Sequence, residues 1–333
     1  MNQLSEKLPV TVVTGFLGSG KTTLINKILS EDHGRKIAVI VNEFGEVSID
    51  GQLIQKSDEE DLIEFNNGCL CCTVRGDLIE TIDKLKKQSE LDAILIETTG
   101  LADPAPVASS FFLADELSSE TKIDSFVAMA DAVNLEESLQ SNEEAQEQIA
   151  FADIILLNKT DLVDEEQLQR VENRIRNLNK AAVIHRTSFS NIGLEKVFGV
   201  GAFELDAKLD VDPTFLDDLE HEHDDAVGSF VIRETRPLDI NKFMMWITDL
   251  LQEQGGELYR SKGIFYARGF KEKVLFQSVR MLTSMEPTDL WESDDKKMTE
   301  YVVIGKNLDE EQFRQGFKDC LVDPPNSNVP SVG

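Results

Sequence analysis

The clearest chemistry in the chain lies in Gly15-Phe16-Leu17-Gly18-Ser19-Gly20-Lys21-Thr22. These eight residues have the phosphate-loop spacing G-x-x-x-x-G-K-[ST], with an apolar run before them and a helical pattern after. Gly15, Gly18 and Gly20, with Ser19 between them, let backbone N–H groups fold around phosphate oxygens. The helix that follows adds the positive end of its dipole at Thr22 and Thr23. Lys21 is predicted to pair with the β- and γ-phosphates and to act in catalysis, and the Thr22 hydroxyl to bind Mg2+. A second motif, Asn158-Lys159-Thr160-Asp161, closes an apolar run. A carboxylate there accepts two hydrogen bonds from the N1–H and exocyclic amine of guanine, which adenine does not offer. GTP is therefore the expected nucleotide, read by Asn158, Lys159 and Asp161. The third motif is Glu97-Thr98-Thr99-Gly100 after Ile94-Leu95-Ile96. A strand ending in an acid puts Glu97 near the magnesium, and Gly100 within reach of the γ-phosphate. Leu101 follows Gly100 where a water-orienting glutamine would stand, so slow intrinsic hydrolysis is expected.

Three of the four cysteines fall within four positions, Cys69, Cys71 and Cys72, after the turn signal Asn66-Asn67-Gly68. Thiolates are soft ligands that suit zinc, copper(I) or cobalt better than magnesium. Three thiols leave one position of a tetrahedral site open for water, for an acid such as Glu43 or Glu46, or for a ligand from a partner. A strained, redox-labile bridge is the competing chemistry. The spacing places the thiols on a loop between two sheet strands. His221 and His223 alternate with acids in a charged block that reads as a solvated segment, with metal collection as the alternative. Cys320 falls in the last helical pattern and is expected in the core.

The elements that position these groups follow from hydrophobic periodicity. Apolar runs at Val10–Val13, Ile37–Val41, Ala93–Ile96, Ser125–Ala128, Ile154–Leu157 and Ala182–Ile184 alternate with helix-period segments such as Thr22–Leu29, Asp77–Lys86 and Glu165–Leu178. Buried strands alternating with helices predict an α/β nucleotide domain, a P-loop NTPase with a mostly parallel sheet, over 7–202. Residues 203–226 are acid-rich and read as a linker. A smaller α+β domain is expected over 227–322 and a polar tail over 323–333. With 62 acids against 33 bases the 333-residue chain carries −29, which repels phosphate backbones and anionic membrane surfaces. Neither nucleic acid nor a membrane is an expected partner. No apolar run reaches transmembrane length, and the start of the chain does not read as a secretory signal, so a cytoplasmic setting is expected.

Taken together, Thr14–Thr23, Val41–Glu46, Asn67–Cys72, Glu97–Pro104 and Asn158–Asp161 resemble the CobW-like metallochaperone GTPases, related to HypB and UreG. Within that family the chain is most similar to the zinc-transfer branch. The resemblance implies slow GTP hydrolysis, zinc held by Cys69, Cys71 and Cys72, and delivery to an apo-metalloprotein client. Cobalt or iron delivery, or a redox-regulated GTP switch without cargo, are the alternatives. The oligomeric state stays open, a homodimer included.

Overall fold

The computed structural model describes residues 7–31, 33–42, 62–65, 73–88, 91–203, 227–292 and 295–322. The chain divides into two compact units, Met1–Gly228 and Ser229–Gly333. The first contains β1 (Leu8–Gly15), α1 (Lys21–Ser30), β2 (Ile37–Asn42), β3 (Leu62–Phe65), α2 (Thr73–Gln88) and β4 (Ala93–Glu97). It continues with α3 (Ala105–Leu113), α4 (Asp115–Glu120), β5 (Thr121–Asp131), α5 (Leu135–Ser141) and α6 (Glu143–Phe151), then β6 (Ile154–Asn158), α7 (Glu165–Leu178) and β7 (Val183–Arg186).

Its seven strands form one sheet in the order β3-β2-β4-β1-β5-β6-β7, and each neighbouring pair is parallel. Central strands β4 and β6 are buried along their whole length, as continuous apolar runs covered on both faces must be. α1 contributes Leu24, Ile25, Ile28 and Leu29 to a core shared with Val13, Val39, Leu95 and Leu156. Parallel pairing has a direct consequence for function. Every strand ends on the same edge, so Gly15, Glu97, Asp131 and Asn158 all reach one crevice at the carboxyl ends of β1, β4, β5 and β6. The register agrees: Val13 lies opposite Glu97, Gly15 opposite Met129, and Asp131 opposite Asn158.

β5 runs eleven residues, well beyond the four apolar positions that mark it in the sequence. The pairing with β1 slips between Val10 and Thr11, where Asp124 is the extra residue. Its buried carboxylate accepts from Thr11 Oγ1 (3.3 Å), Gly199 N (2.9 Å) and Gly201 N (2.8 Å), which makes a polar side chain tolerable in the core.

The second unit is a five-stranded sheet, β11-β10-β9-β12-β8, of β8 (Val227–Glu234), β9 (Leu258–Phe265), β10 (Glu272–Val279), β11 (Leu282–Leu290) and β12 (Thr299–Lys306). The pairings of β9 with β10 and β12, and of β10 with β11, are antiparallel. Helices α8 (Ile240–Gln254) and α9 (Glu310–Asp319) lay Phe243, Ile247, Phe313 and Phe317 against Phe265, Phe276 and Tyr301. No helix among the described residues is long and apolar enough to cross a membrane.

The described elements on either side of the cysteine segment are strand β3 and helix α2. Val74 and Leu78 continue the apolar spacing of Ile82 and Leu85 toward the cysteines, and the helix begins at Thr73, four residues before the predicted Asp77. Cys69, Cys71, Cys72, Glu43, Glu46, His221 and His223 lie outside the described residues, as do the acidic segment from 204 to 226 and the tail from 323.

Candidate nucleotide site

The phosphate loop is built from backbone conformations that only glycine adopts freely. Gly20 has φ +111°, and a Cβ there would overlap the side-chain amide of Asn158. It caps α1 with no side-chain hydrogen bond, and the first turn of α1 holds no acid. That helix start therefore favours an anion, with the positive end of the dipole behind it. Lys21 is buried, and its Nζ donates to Gly15 O at 2.6 Å and to Phe16 O at 3.4 Å, so the ammonium lies across the loop where phosphates would bind. The Ser19 hydroxyl is buried and has no hydrogen-bond partner among the described residues. A glycine cradle, an ammonium and an unsatisfied hydroxyl at one helix start fit a polyphosphate.

Glu97 is buried at the end of β4, and Thr98 extends the ladder by donating its N–H to Val13 O (2.9 Å) and its hydroxyl to Thr14 Oγ1 (3.0 Å). Gly100 then packs directly on the phosphate loop, where a Cβ would stand 3.0 Å from Leu17 N. Buried Gln148 of α6 donates Nε2 to both Gly100 O and Ala102 O at 3.1 Å. These two bonds join the Gly100 turn to α6. The sequence gives no sign of Gln148, because a glutamine inside a helical pattern looks like surface.

Asn158 is occupied by the protein itself. Its Nδ2 donates to Ser19 O (3.0 Å) and Ser190 Oγ (3.4 Å), while Oδ1 accepts from Ser190 N (3.0 Å) and Thr187 Oγ1 (3.1 Å). This side chain ties the phosphate loop to the turn after β7. Lys159 stands in the left-handed region at φ +62°, and its Nζ pairs with Asp131 Oδ2 at 2.8 Å. Asp131 is itself held by Val133 N (3.0 Å) and Asn134 Nδ2 (2.9 Å). Asp161 is exposed within the 3-10 turn Thr160–Leu162. Replacing Asn158 by Ala leaves Ser190 N–H and Ser19 C=O buried without these partners. The expected result is a loss of about 1–3 kcal/mol of stability together with weaker GDP binding. Denaturant unfolding and GDP titration check it, and an unchanged GDP affinity would remove Asn158 from the site.

The turn 187–191 packs against Thr160 and Gly20 and was not singled out in the sequence. Thr160 Oγ1 donates to Thr187 O (3.0 Å) and meets Ser188 Oγ (3.2 Å), and Ser190 Oγ donates to Gly20 O (3.2 Å). Asn191 Oδ1 accepts from Lys27 Nζ of α1. The signal available was the run of polar residues Thr187, Ser188, Ser190 and Asn191 around Phe189, a composition that favours turns.

Among the described residues, no group of three or more His, Cys, Asp or Glu side chains could hold a metal ion. Cys320 closes α9, buried, with Sγ donating to Gly316 O at 3.2 Å. Burial, with help from Asp319, pushes its thiol up to about 11, so it remains protonated and is no ligand. His33 is a helix-end residue. Its Nε2 meets Ile28 O at 3.1 Å and its Nδ1 accepts from Arg35 N at 3.2 Å.

Known proteins share this arrangement. The family described as "CobW/HypB/UreG, nucleotide-binding domain" matches residues 9–186, and "Cobalamin synthesis protein cobW C-terminal domain" matches 227–321. The zinc chaperone YjiA of Escherichia coli is 36% identical over 317 residues, covering 93% of this chain and 98% of its own. The zinc-regulated GTPase metalloprotein activator 1 of Dictyostelium discoideum is 34% identical over 310 residues, covering 81% of this chain and 65% of that protein. The crystal structure of Zn(II)-bound YjiA GTPase from E. coli superposes with a TM-score of 0.76 at 31% identity, over 97% of this chain and all of that one. With its nucleotide unit and its C-terminal unit both matched, the chain belongs to the CobW/HypB/UreG family.

Proposed function

We propose that the chain is a GTP-hydrolysing zinc chaperone, holding zinc on Cys69, Cys71 and Cys72 and passing it to an apo-metalloprotein client. The observation that carries the nucleotide half is the single sheet edge collecting Lys21, Glu97 and the Asn158 turn network. The zinc half is supported by the cysteine spacing and by relatives named zinc chaperone and zinc-regulated GTPase metalloprotein activator.

In hydrolysis a water attacks the γ-phosphorus and the bond to the β–γ bridging oxygen breaks, giving GDP and inorganic phosphate. Lys21 and the N–H groups of the α1 start neutralise the charge that moves onto the phosphate oxygens. Gly15, Gly18, Ser19, Gly20 and Thr23 shape that cradle, and Gly100 faces the γ-phosphate. Thr22 and Glu97 would hold Mg2+, which when bound supplies further charge neutralisation. Lys159 and Asp161 recognise the base, and Asn158 holds them in register with the phosphate loop. Glu43 and Glu46 are the acids assigned here to completing the zinc site.

The test measures zinc affinity by competition with a chromophoric chelator. Structural zinc sites are worth about 10–16 kcal/mol over four ligands, so losing one thiolate costs roughly 3 kcal/mol, a hundredfold. Cys71→Ser should weaken zinc by about that factor and leave GDP binding unchanged. A variant that holds zinc as tightly as the parent would defeat the zinc half. Metal analysis after expression in medium containing zinc, cobalt and iron identifies the cargo.

A further inference from the structure

Phe189 is the most exposed large hydrophobic side chain among the described residues, at 77%. It also has φ +54°, as does Ser190 after it, a left-handed conformation that bulky side chains rarely adopt. Two such residues in succession persist only where the surroundings over-determine them. Here the surroundings are explicit. Ser188 before the ring meets Thr160 Oγ1 of the base-reading turn at 3.2 Å. Ser190 after it is held by Asn158 Oδ1 through its N–H (3.0 Å), and its hydroxyl donates to Gly20 O of the phosphate loop (3.2 Å). The neighbours on both sides turn inward to the nucleotide site, and the aromatic between them is held out beside it.

Nothing in folding explains this placement. The ring gains little burial, and a serine or asparagine would suit the turn better. We propose that Phe189 is the stacking residue of the site, covering the face of the guanine base whose edge Asp161 reads. This rests on the guanine-nucleotide reading above. It explains both features together: the strained backbone aims the ring, and the ring is exposed because the surface that buries it is the ligand. A ring face recognises a planar base without reading its hydrogen-bonding edge, so Phe189 supplies affinity where Asp161 supplies discrimination.

The experiment compares GDP affinity, by calorimetric titration of the full chain, for wild type, Phe189→Ala, Phe189→Gly and Phe189→Trp. Removing a stacking ring is expected to weaken GDP on the order of tenfold. The glycine variant relieves the positive φ, so its unfolding midpoint without nucleotide stays at or above wild type while its GDP affinity falls with that of alanine. The tryptophan variant keeps near wild-type affinity, and its emission is quenched when GDP is added. GDP affinity within twofold of wild type for Phe189→Ala and Phe189→Gly would overturn the stacking role, as would tryptophan emission indifferent to GDP. If wild type itself binds no GDP, the guanine reading falls and the stacking role with it. If wild type binds and the ring proves dispensable, only the stacking role falls.

Discussion

Lys21→Ala lowers GTP turnover by about two to three orders of magnitude, the usual result of removing one donor aimed at developing charge, and leaves the fold intact. The two halves of this expectation rest on different observations. The ammonium already spans the phosphate loop, with Gly15 O at 2.6 Å and Phe16 O at 3.4 Å, and entering phosphates present stronger acceptors in the same place. The fold does not need it. Leu24, Ile25, Ile28 and Leu29 hold α1 in the core, and alanine is the best helix former at the vacated position. Turnover measured at saturating GTP, alongside an unfolding curve without nucleotide, separates the two. Turnover within tenfold of wild type would sink the assignment of Lys21. A collapsed unfolding midpoint would instead show that the ammonium braces the loop.

This part of the molecule was legible in the sequence because its residues are constrained by local spacing. A strand, a glycine loop and a helix occupy consecutive positions, so the motif carries its own geometry. Helix α7 was legible for a similar reason: Leu168, Val171, Ile175 and Leu178 keep helical spacing on one buried face, and Glu165–Leu178 is where the pattern put it. Elsewhere the determinants are not local. β11 carries no apolar alternation, since it is an exposed edge strand with Pro287 inside it and pairs only with β10 in the sheet. α3 is apolar on all sides and α5 and α6 meet at Asn142, so none of them shows a clean amphipathic period.

The candidate site divides in the same way. The position of Asn158 was legible, but its partners were not: Ser19, Thr187 and Ser190 lie up to 139 residues away in the chain. The motif assigns Asn158 to guanine, and in the structure its side chain joins the phosphate loop to the turn 187–191. Asp131, which orients Lys159, and Gln148, which holds Gly100, are ordinary residues in the sequence and acquire meaning only from the strand register that brings them to the crevice.

Asp161→Asn should exchange one base for another. Asp161 needs no partner in the protein to do its work. It is exposed, and the turn that carries it is fixed on one side by the Lys159–Asp131 pair at 2.8 Å and on the other by Thr160 bonded to Thr187 O at 3.0 Å. A carboxylate in that position accepts from both N1–H and the amine of guanine. An amide accepts from N1–H and donates, which matches the N1–H and carbonyl of xanthine and leaves the guanine amine facing a donor. Sites that reject a mismatched hydrogen-bonding group do so by factors up to about 10⁴–10⁵, and an exposed position reduces that. The expected result is therefore a fall in GDP affinity of about 10²–10⁴ with a gain for XDP. Titrating both nucleotides against the same variant decides the matter. Equal losses for GDP and XDP would mean the turn had been damaged and not re-addressed. Phe189→Ala should show that equal loss, because a ring stacks on xanthine as well as on guanine. The two variants side by side thus resolve recognition of the base into its face and its edge.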